Sequence, residues 1–157
     1  MPTRVEAVVG YLDGEGVPYE LVEHESVTSA AAEARVAHVS ADQIAKTVLL
    51  HDGSGYMVAA VSASARLDLH KLRGLLGATR TPRLATEAEI ARDFPTLDVG
   101  AVPPFGSSVP AAEAIDRALL SHERILCPAG DHHHSVLVDP RDVVRITAAM
   151  TADISED

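Results

Sequence analysis

A single mixed α/β domain is the fold class this sequence predicts, and three observations carry the prediction. Helical and strand periodicities alternate along the chain. No internal repeat or low-complexity linker divides it. Its 157 residues, 46% of them hydrophobic, suffice for one core. With aromatic residues at only 3%, that core must be built from Val, Leu, Ile and Ala.

Val5, Val8, Val9 and Leu12 recur at helical spacing until Gly14 and Gly16 stop the pattern. Val17-Pro18 leads into Tyr19–Glu23, an alternating run that reads as a strand ending at His24. Thr28 or Ser29 can cap a short helix through Ala30–Val36, with Glu33 placed for a capping box. Ser40 can cap a further turn over Ala41–Ile44. Ala45–Leu50 reads as a second strand, and Asp52-Gly53-Ser54-Gly55 as a hairpin turn into Tyr56–Val61. Asp68–Leu76 carries one leucine stripe, with Gly74 and Gly77 at its end. Thr79–Arg83 is expected as a short strand, and Thr86–Phe94 as a helix capped by Thr86 with Glu89 three residues on. Ala111–Leu120 fits a strand by alternation and a helix by alanine content. Arg124–Cys127 and Ser135–Val138 are expected strands, and Pro140–Ile146 a closing helix with proline in its first turn. The last residues form an acidic tail.

Between the helix at Thr86 and the ambiguous segment lies Asp98–Gly106. Pro103 and Pro104 fix φ and remove two backbone donors, and each pushes the residue before it out of the α region. The loop is stiff and extended, yet apolar at Val99, Ala101, Val102 and Phe105. It reads either as a rigid turn under a core edge or as a loop that presents the N–H groups of Gly100 and Ala101.

A net charge of −10 argues against indiscriminate nucleic-acid binding, which phosphate neutralisation drives. The charge is uneven, however. Arg66, Lys71, Arg73, Arg80 and Arg83 share one stretch with a single acid, Asp68, leaving it at +4 against −14 for the rest. Such a patch can hold one phosphate-rich end, or be the solvated face of a helix. The one cysteine, Cys127, excludes an intrachain disulfide and reads as a small core residue. No apolar run approaches the ~20 residues of a membrane span. Without a signal-peptide pattern after Met1, the chain is expected to be soluble and cytoplasmic, with no membrane partner.

Lys46 has the apolar neighbours Ile44, Ala45, Val48, Leu49 and Leu50, so burial of its ammonium is expected. It either snorkels to an edge or serves as a carbonyl polariser or anion contact. In His132-His133-His134, an extended backbone would put His132 and His134 on one face, as metal ligation needs. No H-x-E or C-x-x-C partner accompanies them, so polar turn residues are the expected reading and no metal or cofactor is assigned.

Taken together, Tyr19–His24 with Thr28, Ala45–Leu50, Arg66–Leu72, the loop Val99–Gly106, and Ala129–His132 with Ser135 and Val136 resemble the YbaK/EbsC family. These are the free-standing relatives of the editing domain inserted in bacterial prolyl-tRNA synthetases. The segments keep family order from about residue 5 to 147. The resemblance implies a curved mixed sheet wrapped by helices, an editing domain over 1–150, and an acidic tail over 151–157. It implies hydrolysis of an amino acid wrongly esterified to tRNA, with the charged acceptor end as partner and a synthetase as a further one.

Lys46, Gly100, Ala101 and His132 are then the expected catalytic set. His24, Thr28, Ser62, Val102, Pro104, Phe105, Gly130 and Ser135 are expected to line the substrate site. Arg66, Lys71, Arg73, Arg80 and Arg83 are expected to touch tRNA. An aminoacyl ester is already activated, so the site needs to position it, stabilise an oxyanion and admit water. The water can be oriented by a ribose hydroxyl or by His132 as base.

Ser62-Ala63-Ser64-Ala65 departs from the proline-containing turn of relatives. Pro103 stands where some cysteine-specific members have serine, and Ser135 where they have aspartate, so the amino acid is left open. Two other classes fit the same residues: a non-catalytic module binding a tRNA acceptor end or a synthetase, and a metal-dependent hydrolase on His132, His134 and His24.

Overall fold

The computed structural model describes residues 4–25, 38–53, 55–95, 103–104 and 112–157. Its elements run α1 (Arg4–Gly14), β1 (Tyr19–Glu23), a 3-10 turn (Ala41–Gln43), β2 (Ala45–His51), β3 (Tyr56–Ser62) and α2 (Leu69–Leu76). They continue with β4 (Arg83–Leu84), α3 (Glu87–Asp93), β5 (Ala112–Asp116), a second 3-10 turn (Arg117–Ser121), β6 (Ile125–Pro128), β7 (His134–Val138), α4 (Pro140–Thr147) and β8 (Met150–Ala152). The expected helix over Ala30–Val36 lies outside the described residues.

The mixed sheet is realised as two sheets, ordered β1-β7-β6 and β4-β2-β3-β5-β8. A parallel bridge between Ile44 and Leu126 joins them, so β2 and β6 run side by side in the same direction. The hairpin of β2 and β3 keeps the register its turn dictates, from Ala45 opposite Ser62 to His51 opposite Tyr56. Asp52 closes it, accepting the Gly55 N–H at 2.9 Å, with Gly53 at φ +98°.

β3 pairs antiparallel with β2 and parallel with β5, and both its faces are covered. Ala60 joins Val8, Leu12, Ile115, Val136 and Val143 in one core, while Met57, Ala59 and Val61 join Leu50, Leu72 and Ile154 in another. That explains its unbroken apolar run, as expected of a strand covered on both sides. Small residues at 59, 60 and 114 let the backbone layers approach without aromatic filler.

Local signals set the helix ends. Asp68 accepts the His70 and Lys71 N–H groups at the start of α2, and Gly77 ends it in the left-handed region. Thr86 and Glu89 form the expected capping box on α3. Asp139 caps α4, with Pro140 in its first turn. The ambiguous segment is a strand followed by a 3-10 turn: pairing of β5 with both β3 and β8 outweighs the helix propensity of its alanines. The strand expected over Thr79–Arg83 shrinks to Arg83–Leu84, since Pro82 has no ladder donor and Arg73 takes the carbonyls of Ala78 and Thr79.

The acidic tail is an integral part of the fold. β8 pairs with β5, and Ile154 is fully buried. Buried Asp116 accepts the Ile154 N–H at 2.9 Å and the Ser155 hydroxyl at 3.2 Å. Lys71 donates to Asp153 (3.0 Å), the Ser155 carbonyl (2.8 Å) and Asp157 (2.9 Å). Cys127 is buried in the core, as expected. Among the described residues, no helix is long and apolar enough to cross a membrane.

One core position breaks the polar rules. Glu113, on β5, is 7% exposed, and its Oε2 has no hydrogen-bond partner among the described residues. Burial pushes its pKa from 4.5 up to about 8, and the Thr147 side chain opposes only part of the shift. A raised folded-state value stabilises the fold fully below pH 4.5, and that contribution is lost as pH rises through about 8. Glu113→Gln removes the ionisation and keeps the shape. Melting temperatures at pH 5.5, 7 and 8.5 should fall with pH in the wild type and fall less in the variant, with the variant ahead at pH 8.5. Parallel pH profiles would show that Glu113 ionises freely in the folded protein.

Candidate functional site

The candidate residues gather at the seam between the two sheets. Beyond the Ile44–Leu126 bridge, β2 continues to Lys46 as β6 continues to Pro128, and the β6–β7 turn follows. Lys46 is exposed, contrary to the burial its apolar neighbours suggested. Strand alternation explains this: Lys46 shares a face with Val48 and Leu50, and the cover that α2 gives to Leu50 does not reach it. Among the described residues its ammonium donates one bond, to the Ala65 carbonyl at 3.4 Å. Beside it, the Thr47 hydroxyl is buried with no partner among the described residues, a polar atom the sequence reading did not single out.

Ser62 ends β3 opposite Ala45 and is 6% exposed. Its hydroxyl lies 3.2 Å from the Asp42 carbonyl and 2.9 Å from the Ser64 hydroxyl, which donates to the Asp42 carboxylate. The turn that departs from the family's proline pattern is thus pinned to the 3-10 turn before β2. Ser62 is turned inward as part of that pin.

The β6–β7 turn is held from several sides. Gly130 is buried at φ +100°, and a Cβ there would lie 3.1 Å from the Arg4 Cβ on α1. Asp131 accepts the His133 N–H at 2.8 Å and faces His134 Nδ1 at 3.0 and 3.1 Å. Burial raises the Asp131 pKa, but these bonds outweigh it and hold the carboxyl below its usual range. His132 is half-buried in the turn, whereas His134 begins β7 with its ring tied to Asp131.

The His24 N–H donates to the His133 carbonyl at 2.8 Å, which joins the end of β1 to the turn. Its ring Nδ1 lies 2.8 Å from the Glu25 carbonyl, an acceptor only, so Nδ1 carries the proton. Nε2 is then left to accept from the Ser135 hydroxyl at 3.1 Å. With Ser135 only 1% exposed, the pair pins β1 to β7. Among the described residues no three His, Cys, Asp or Glu side chains are arranged to hold a metal, so His24, His132 and His134 do not make a ligand set.

Pro104 and its neighbour Pro103 are buried. Gly100, Ala101, Val102, Phe105 and Thr28 lie outside the described residues. The basic segment divides. Lys71 is held by the C-terminal carboxylates, Arg73 by carbonyls beyond its own helix, and Arg83 forks onto Glu89 at 2.7 and 3.0 Å. The guanidinium groups of Arg66 and Arg80 are exposed and make no bond among the described residues. Asp131, whose carboxylate ties this turn together, is not singled out by the sequence reading. The available signal was its spacing, since an aspartate two residues before an N–H can close an Asx turn.

Comparison with known proteins bears directly on this seam. The chain is 26% identical over 151 residues to the prolyl-tRNA editing protein ProX of Acetoanaerobium sticklandii, covering 92% of this chain and 90% of that protein. A solved structure assigned provisionally as a trans-editing enzyme for prolyl tRNA synthetase superposes with a TM-score of 0.88 at 27% identity, covering 100% of this chain and 99% of that one. The hypothetical protein APE2540 gives a TM-score of 0.87 at 27% identity, covering 96% and 100% of the two chains. The family model described as the aminoacyl-tRNA editing domain matches residues 24–146, from His24 into the last turn of α4, with Lys46 and the Gly130–His132 turn inside that span. The chain therefore belongs to the aminoacyl-tRNA editing domain family, the trans-editing deacylases its ordered sequence segments resemble.

Proposed function

We propose that this protein hydrolyses the ester joining a wrong amino acid to the 3′ end of tRNA, with Lys46 and the β6–β7 turn forming the walls of its site. The observation that carries the reading is Lys46 itself. Its charge stands exposed at the seam, held among the described residues by one carbonyl at 3.4 Å, and so is available to a phosphate or an ester carbonyl. The names of the relatives point to tRNA charged by prolyl-tRNA synthetase, so tRNAPro carrying a noncognate amino acid is the proposed substrate.

The chemistry asks little of the protein. Water adds to the acyl carbon, an oxyanion develops, and the ribose oxygen leaves with a proton. The N–H groups of Gly100 and Ala101 are the proposed oxyanion donors, with Lys46 polarising the same carbonyl or anchoring the terminal phosphate. The neighbouring ribose hydroxyl orients the water, and His132 is the protein's own candidate for that proton. His24 is not assigned that role, since its Nε2 lies 3.1 Å from the buried Ser135 hydroxyl in the pin between β1 and β7. Pro104 is buried, and Gly130 lets the turn lie against α1.

A deacylation panel tests the reading: tRNAPro and other tRNAs charged with alanine, cysteine, serine or proline, each with protein and with a blank. At least one should lose its amino acid faster with protein. On that substrate Lys46→Met should remain folded, since the side chain is exposed, and lose about one to two orders of magnitude in kcat/KM. That is the scale of one charge-assisted contact of ~1.5–3 kcal/mol. Blank rates across the panel would leave a binding module of the same fold. A fully active Lys46→Met would remove the lysine from the site.

The divided basic segment gives a second test. Arg66→Glu and Arg80→Glu should weaken tRNA binding and flatten its salt dependence. Lys71→Glu should instead lower the melting temperature by releasing the C-terminal carboxylates. Unchanged affinity and salt slope in the arginine variants would make the segment a solvated face.

A further inference from the structure

Asp131 holds the β6–β7 turn from within through one carboxylate. It accepts the His133 N–H at 2.8 Å and engages His134 Nδ1 through both oxygens, at 3.0 and 3.1 Å. Its side chain is 21% exposed and that of His134 25%, so these bonds are partly shielded from water. The Ala129 N–H reaches the His134 carbonyl at 3.2 Å, and the His24 N–H reaches the His133 carbonyl at 2.8 Å. Gly130 and His132, the two residues flanking Asp131, are the ones proposed to meet the substrate.

We infer that Asp131 is a positioning residue for the editing reaction: its carboxylate fixes the turn so that Gly130 and His132 meet the aminoacyl ester in a productive geometry. The inference rests on the functional reading given above. Nothing in it requires Asp131 to touch substrate. Its oxygens are spent on His133 and His134, one residue beyond His132. Geometry is the operative property, because both partners are donors that an uncharged oxygen can also satisfy. Small misplacements at a reacting centre cost rate more than binding, so the effect belongs in kcat.

Two substitutions separate geometry from charge. Asp131→Asn keeps an acceptor in place and loses the charge. Asp131→Glu keeps the charge and moves the acceptor outward by one methylene. On the best substrate of the panel, Asp131→Asn should stay within about threefold of wild-type kcat. Asp131→Glu should lose about tenfold or more in kcat, with KM within about twofold. An Asp131→Glu protein with wild-type kcat, a loss carried by KM, or an Asp131→Asn protein as impaired as Asp131→Glu would each overturn the inference alone. Wild-type protein inactive on every charged tRNA would overturn the functional reading and this inference with it.

Discussion

The architecture depends on β3 being buried on both faces. A strand with apolar cover on each side, small enough at Ala59 and Ala60 for its neighbours to close in, leaves no interior place for polar chemistry. The proposed site accordingly lies where the layers end: Lys46 on the open end of β2 and the turn after Pro128. Glu113 shows what a carboxylate costs inside that sandwich, remaining protonated well above the ordinary carboxylate range. The bridge between Ile44 and Leu126 then decides which ends meet. By setting β2 beside β6 in parallel, it brings the lysine and the glycine turn to one seam.

Charge is arranged with the same economy. A protein at −10 repels a polyanion as a whole, so an acceptor end must be met locally. Three of the five clustered cations are occupied with the protein's own carbonyls and carboxylates, and Lys71 in particular locks the C-terminal residues against α2. Arg66 and Arg80 remain outward, and Arg66 follows directly on Ala65, whose carbonyl holds Lys46. Two outward arginines are too few to neutralise the phosphates along a duplex.

Much of this was legible in the sequence, for physical reasons that differ by element. The helix at Leu69, the capping box at Thr86 and the hairpin at Asp52 are local signals, complete within a few residues, and they fold as read. Cys127 was legible as core from its apolar neighbours alone. The strand at Ala112 was not, because its alanines favour helix and only its two partner strands overrule them. Lys46 looked buried because apolar neighbours in sequence were taken for neighbours in space, whereas Ala45 and Leu49 lie on the opposite face and the cover over Leu50 stops short of the lysine. The tail read as acidic, which it is. That it closes the fold depends on Asp116 and Lys71, distant residues no local pattern connects. Asp131 escaped for a related reason: its importance lies in two bonds to residues that looked like a histidine run.

The central claim is that water cleaves the aminoacyl ester at this seam. Single-turnover deacylation of mischarged tRNAPro in H2¹⁸O, with mass analysis of both products, tests it most directly. The account predicts release faster than the protein-free blank, with one ¹⁸O in the carboxylate of the freed amino acid and none in the tRNA. Decay at the blank rate, or label in the ribose of the tRNA, would contradict it.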